Sequence, residues 1–327
     1  SNNVSTVSKL LGTDYGYFVG GNDSDDRSIV QRVDYANDTA TAAEKGPLQN
    51  GGAATAVVGN TSYGYVAGGN RPSTSTIISR IDYFNDTAVA PNRSTLSQGR
   101  VTLGATGNTS YGYFGGGEPG PSQSSKVDRL DYSNDTSVTL VRSYLATARQ
   151  TLAGVGNQEY GYFGGGNGPV STVDRLDYSN DSATTVAKGP LATAMYNLAA
   201  TGNGNFAYWG GSTTPLSTVN RTDYSSDTTT AVAKGPLTVA RDKLGATGNT
   251  SYGYFGGGTP GTISTVDRID YSNDTPTATA KGPLVAARAY VSAVSSRENN
   301  LPVIEYAAVH QTSEKGIKRT QGTPYGY

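Results

Sequence analysis

The chain has 327 residues, with 25 Lys+Arg against 26 Asp+Glu, a formal net charge of −1 and no cysteine. That balance offers no global field for nucleic acid or an anionic membrane, and the missing cysteine excludes disulfides, a thiol nucleophile and thiolate metal ligands. No run of 18 apolar residues predicts a membrane-spanning helix, the opening SNNVSTVSKL lacks the apolar core of a signal peptide, and abundant Gly, Ser, Thr and Asn favour short strands and tight turns.

In chain order, an aromatic–small–aromatic element opens at Tyr15, Tyr63, Tyr111, Tyr160, Phe206 and Tyr252, at spacings of 48, 48, 49, 46 and 46 residues. Strand-like copies at this period indicate a radial array of small β-sheets rather than a helical solenoid. The first copy, 15–20, has no inner strand before it. Apolar inner strands are expected near 52–58, 100–106, 149–155, 195–201, 241–247 and 288–294. The unit 195–237 shows the plan: an apolar strand, a Gly202-Asn203 turn, FAYWGG, the strand STVNRTDY, an SSD turn and the β-branched TTTAVAK. Gly235 and Pro236 then stop the sheet, because Pro cannot donate to a ladder. Four antiparallel strands make one propeller blade. The last inner strand, 289–294, has no glycine-doublet strand after it. Pairing that spare strand with 15–20 removes two open edges and predicts an all-β ring of six blades, closed by its N- and C-terminal strands.

The order of elements resembles the kelch repeat. Gly164 and Gly165 supply the doublet, Val173, Leu176 and Asp177 the following strand, and Arg149, Arg241 and Arg288 the residue that opens the next inner strand. The resemblance implies a six-bladed kelch-like β-propeller over 13–296, with an N-terminal extension 1–12 and a non-repeat C-terminal tail 297–327. The outer-strand Trp usual in that family is missing, and small residues such as Ala231 and Ala278 stand near its place.

Within a copy, Tyr111 and Tyr113 share one strand face and Phe114 the other. Both faces are buried between blades, with Gly112 leaving room for an aromatic of the next blade and each hydroxyl finding a partner at the rim. Arg32, Arg80, Arg129, Arg175, Arg221 and Arg268 each precede an acid by two residues (Asp34, Asp82, Asp131, Asp177, Asp223, Asp270), which predicts an Arg–Asp ladder within or between blades. The pairs Asp131/Asp135, Asp177/Asp181 and Asp270/Asp274 flank a turn. They are read as turn chemistry, with a calcium site or paired-carboxylate glycosidase chemistry as alternatives. Asn37, Asn85, Asn134, Asn180 and Asn273 match the N-glycosylation pattern.

Catalytic groups are scarce. His310 is the only histidine, which argues against a multi-histidine metal site and a Ser-His-Asp triad. Phosphate-loop and dinucleotide motifs are absent. No enzyme activity, cofactor or metal is expected. Departures from the repeat mark candidate binding residues: Arg100, Arg149, Arg241 and Arg288, replaced by Met195 with Tyr196 in the fifth copy, are expected to ring one channel mouth and suit an anionic partner. Trp209 is either core or contact. The loops 22–28, 70–76 and 118–124 form the variable surface. In the tail, Leu301, Val303, Ile304, Tyr306, Lys315, Lys318 and Arg319 are candidates for docking a protein partner. The leading expectation is a non-enzymatic structural or recognition propeller, a phage virion appendage or capsid-decoration component at a virion or extracellular surface, with neighbouring subunits of a larger assembly as partners and a surface glycan as a further candidate. The alternatives are a cytoplasmic kelch-type adaptor, or a lectin or glycan-active enzyme.

Overall fold

The computed structural model describes residues 9–11, 14–25, 27–70, 73–302 and 305–307. They form six four-stranded antiparallel sheets around a central channel, and a separate two-stranded pairing of Lys9–Leu11 with Glu305–Ala307. Blades 2 to 6 are each continuous in sequence. In blade 1 the innermost strand is Ser292–Ser295, which pairs antiparallel with Tyr15–Val19, placing Tyr17 opposite Val294. The last strand of the repeat region thus completes the first blade, as the strand count predicts.

The innermost strands are Ala56–Gly59, Gly104–Gly107, Ala153–Gly156, Ala199–Gly202, Gly245–Gly248 and Ser292–Ser295. Each begins about four residues later than its sequence suggests. A left-handed residue precedes every one of them: Ala54, Thr102, Thr151, Asn197, Lys243 and Tyr290, with φ between 53° and 57°. Such a residue cannot continue a ladder. Its backbone instead bonds sideways, with Thr102 N–H donating to Ala54 C=O at 2.8 Å, Thr151 to Thr102 at 2.9 Å and Lys243 to Asn197 at 2.8 Å. These bonds form a belt from blade to blade at one mouth of the channel.

Blades pack through paired sizes. The fourth residue of each aromatic strand faces the fifth residue of the strand before it. A Cβ on Gly115 would lie 2.7 Å from the Phe163 ring, one on Gly164 2.7 Å from Trp209, and one on Gly210 2.8 Å from Phe255. Where the fifth residue is larger, as in Val19 or Ala67, it shares a core cluster with Val66 or Phe114 respectively. Gly112 makes room for the Tyr132 hydroxyl of its own blade and Val58 of the preceding blade, a correction to the expected aromatic of the next blade. The second tyrosine of each copy stacks on a tyrosine of the following blade: Tyr113 on Tyr178 at 5.0 Å, Tyr162 on Tyr224 at 4.8 Å.

The arginine ladder takes a different partner from the one expected. Asp131 accepts from the Ser133 N–H at 2.9 Å and caps its own turn, as its equivalents do. Arg129 reaches across the interface to Asp181 at 2.7 Å, where Tyr113 Oη also donates at 2.9 Å and Arg142 binds the other oxygen at 3.0 Å. The same clasp recurs at Asp38, Asp86, Asp135, Asp227 and Asp274. The guanidinium is held from both sides, since Arg129 also lies 4.3 Å from the Tyr111 ring centroid. The two acids of each pair therefore have different partners: the first caps its own turn and the second is clasped from the preceding blade.

Candidate functional site

Innermost strands run from the belt mouth to the opposite mouth, so the two mouths differ in what they carry. The long connections between second and third strands lie at the belt mouth, here the loop face. The segments leading into Tyr15 and out of Ser295 lie at the other, the tail face.

The four arginines expected to crown the loop-face mouth are instead inside the blades. Arg100, Arg241 and Arg288 have 0% and Arg149 3% of their surface exposed. Arg100 pairs with Asp128 at 2.8 Å and donates to the carbonyls of Gly116 and Lys126. Arg149 pairs with Asp174 at 2.7 Å, and Arg241 with Asp267 at 3.0 Å. The guanidinium of Arg100, Arg149 and Arg288 ties the glycine turn of its own blade to the inner strand, that of Arg241 bonds the Phe255 carbonyl, and all four are buried away from the mouth. Blade 1 departs: Arg288 Nη2 donates to the Gln31 amide oxygen at 3.1 Å, and burial lowers its pKa to about 10 despite the opposing pull of Asp23 and Glu44. In blade 5 the pair becomes Met195 and Asn220, with the Asn220 amide donating to Met195 Sδ at 3.1 Å. Trp209 is fully buried and its Nε1 donates to Thr222 at 3.1 Å, so it is core and not a contact. Of the proposed mouth residues only Tyr196 stays half-exposed, beside Ser212 and Thr213.

The channel mouth is lined by the belt residues Ala54, Thr102, Thr151, Asn197, Lys243 and Tyr290, and outside them stands the seventh residue after each aromatic start: Asn22, Asn70, Glu118, Asn167, Thr213 and Thr259. Their backbones are fixed by bonds to the residue after the arginine position, as in Asn22 N–H to Ala289 C=O at 2.9 Å and Glu118 N–H to Val101 C=O at 3.0 Å. Around blades 5 and 6 the polar groups satisfy one another. Asp242 accepts from Thr213 Oγ1 at 2.6 Å and from Thr259 Oγ1, and the Asn197 amide donates to Thr213 at 2.8 Å. Over blades 1 to 3 a depression of 330 Å³ opens, lined by Asn22, Asn70, Thr74, Glu118, Tyr290 and the chain around Ala53, Val101 and Gly120. Asn22, Asn70, Thr74 and Glu118 belong to the variable loops 22–28, 70–76 and 118–124, whereas Tyr290 is a lining residue that the sequence does not single out. The signal that could have found Tyr290 is its place two residues after the repeated Arg288 position, where the other copies carry Ala54, Thr102, Thr151, Asn197 and Lys243.

At the tail face the chain turns back over the channel. Asn299 accepts from the Gly156 N–H through its side chain at 3.0 Å, and its carbonyl accepts from Gln158 Nε2 at 2.8 Å. Glu298 accepts from Ser295 N–H at 3.2 Å, and burial raises its carboxyl well above the ordinary range against the pull of backbone N–H groups of Ser295 and Gly59. Together these residues close a channel cavity of 110 Å³ walled by Leu103, Leu152, Leu198, Leu244 and Val291. Leu301 is buried with this plug (3% exposed) and is not open to a partner, a correction to its expected role. Tyr306 lies opposite Leu10 in the two-stranded pairing. Val303, Ile304, Lys315, Lys318 and Arg319 lie outside the described residues. No helix among the described residues is long and apolar enough to cross a membrane.

A solved structure described as that of YjhT is similar over 74% of this chain and 87% of that one, with a TM-score of 0.62 and 12% sequence identity. At that identity the likeness concerns the fold alone, a six-bladed propeller. In all, 488 solved chains are similar, so the fold does not single out a function. No protein-family model and no curated protein matches the chain. A rigid ring that carries its irregular loops on one face suits binding or recognition.

Proposed function

We propose that this chain is a non-enzymatic, kelch-type recognition propeller, held in a larger particle by the segments flanking the ring and presenting its loop face outward. The carrying observation is the opposition of the two faces. The polypeptide enters and leaves the ring on the tail face, and the flanking strands Lys9–Leu11 and Glu305–Ala307 pair with one another. The long loops and the 330 Å³ depression lie on the other face. A module tethered behind and open in front is what an appendage or decoration protein of a virion, a phage for preference, requires. The plugged channel and the consumption of the buried arginines by their own blades support a scaffold role for the ring itself.

The test exchanges loops 22–28, 70–76 and 118–124 for Gly-Ser linkers, and separately deletes residues 305–327. Loop exchange is expected to abolish capture of the particle's target surface with an unchanged Tm. The deletion is expected to leave particles without the protein, seen in electron micrographs. A chain found as a lone monomer, or a deletion variant still on the particle, argues against this reading.

A further inference from the structure

We propose that the depression over blades 1 to 3 is a binding site for a neutral saccharide. This rests on the loop face being the recognition face.

The mouth is divided in two. Around Asp242 the polar side chains are consumed by each other. On the opposite side, the side chains of Asn22, Asn70 and Glu118 have no hydrogen-bond partner among the described residues, while their backbones are pinned by paired bonds to residues 289, 53 and 101. Polar groups held ready on a fixed backbone lose little freedom when they bind. An amide offers two donors and an acceptor, and a carboxylate accepts from two hydroxyls at once. Thr74 adds a hydroxyl at the rim. Such a set matches a ligand whose every edge is a hydroxyl able both to donate and to accept.

The wall supplies the apolar half. Tyr290 lines the depression, where a sugar's C–H face can lie on its ring. Lys243 Nζ sits 5.0 Å from the ring centroid. Tyr290 is the one aromatic residue among the six left-handed positions of the belt (φ 53°). The volume of 330 Å³ is at the small end of ligand pockets, about 300–1,000 Å³, and fits a short saccharide rather than a folded partner.

Charge sets the neutral class. Glu118 contributes a carboxylate. Arg100 and Arg288 are buried and spent on groups of their own blades, and Arg27 is paired with Asp23 at 2.6 Å. The cation beside the depression, Lys243, lies over the Tyr290 ring and lines the channel mouth rather than the depression itself, so among the described lining residues an acidic sugar would meet Glu118 with no cation to offset it.

The full chain is to be screened on an array of neutral and sialylated oligosaccharides, and the best neutral probe titrated by calorimetry. Binding to neutral members is expected, weakened at least about tenfold in Asn70→Ala/Glu118→Ala at an unchanged Tm and unaltered in Asn167→Ala, across the mouth. An array blank for neutral sugars, a preference for sialylated probes, or binding that survives the double variant overturns the proposal. If the array is blank while loop exchange still abolishes target capture, the saccharide falls and recognition stands. If loop exchange also leaves capture intact, the recognition reading itself has failed.

Discussion

Arg288 is the residue that shows how buried charge is handled in this ring. Wherever the sequence has Arg at that position in blades 3, 4 and 6, an aspartate on the third strand of the same blade meets it: Asp128, Asp174 and Asp267. Where Arg is lost in blade 5 the acid is lost too, leaving Met195 beside Asn220. A buried aspartate without its cation would cost several kcal/mol, about 3–5 when one member of such a pair is removed. Blade 1 breaks the rule by keeping the cation and replacing the acid with Gln31. Gln31→Asp should therefore stabilise the fold by about 1.5–3 kcal/mol, the range for hydrogen bonds to charged groups, measured as a rise in the urea midpoint with unchanged slope. A fall in that midpoint would show that Gln31 is the better partner for Arg288.

Strands are matched to their neighbours at single positions. The fifth residue of one aromatic strand and the fourth of the next share one space: Val19 with Val66, Ala67 with Phe114, Gly164 with Trp209. Larger on one side goes with smaller on the other, as close packing demands. Gly164→Ala puts a Cβ 2.7 Å from the Trp209 ring, and overpacking of this kind costs about 1–3 kcal/mol. Adding Trp209→Phe recreates the Ala67–Phe114 combination and should recover most of that loss. A double-mutant cycle by chemical denaturation tests this, and simple additivity of the two changes would refute the shared-space account.

Over the whole ring, six carboxylates lock six interfaces. Burial alone would raise Asp38, Asp135, Asp181, Asp227 and Asp274, but the tyrosine hydroxyl and the cations around each outweigh it and hold them below the usual carboxylate range. Their contribution is complete above the unfolded value of about 4 and is lost as pH falls through the depressed folded values. Glu298 runs the other way: its raised carboxyl favours folding most below the unfolded value and loses that advantage as pH rises. The stability of the ring should decline progressively below about pH 4, as one clasp after another is protonated. Asp181→Asn should lower Tm clearly at pH 7 and little at pH 2.5, followed by circular dichroism. An equal loss at both pH values would show that Asp181 acts through shape rather than charge.

Repetition made the architecture legible from residues alone. Six copies of one strand pattern, with a strand missing at the start and spare at the end, leave one closed arrangement. The tyrosines were legible as core because alternation buries both faces of a strand packed between two blades. The site was not. Arg100, Arg149, Arg241 and Arg288 look like a crown when only their spacing is known, and the left-handed residue two positions later turns them inward. Which acid meets Arg129 depends on the neighbouring blade, 52 residues on. Local pattern specifies which face of a strand is apolar, since period and burial act on adjacent residues. Only closure of the ring decides which polar groups find partners and which are left facing the open mouth, because those partners come from other blades.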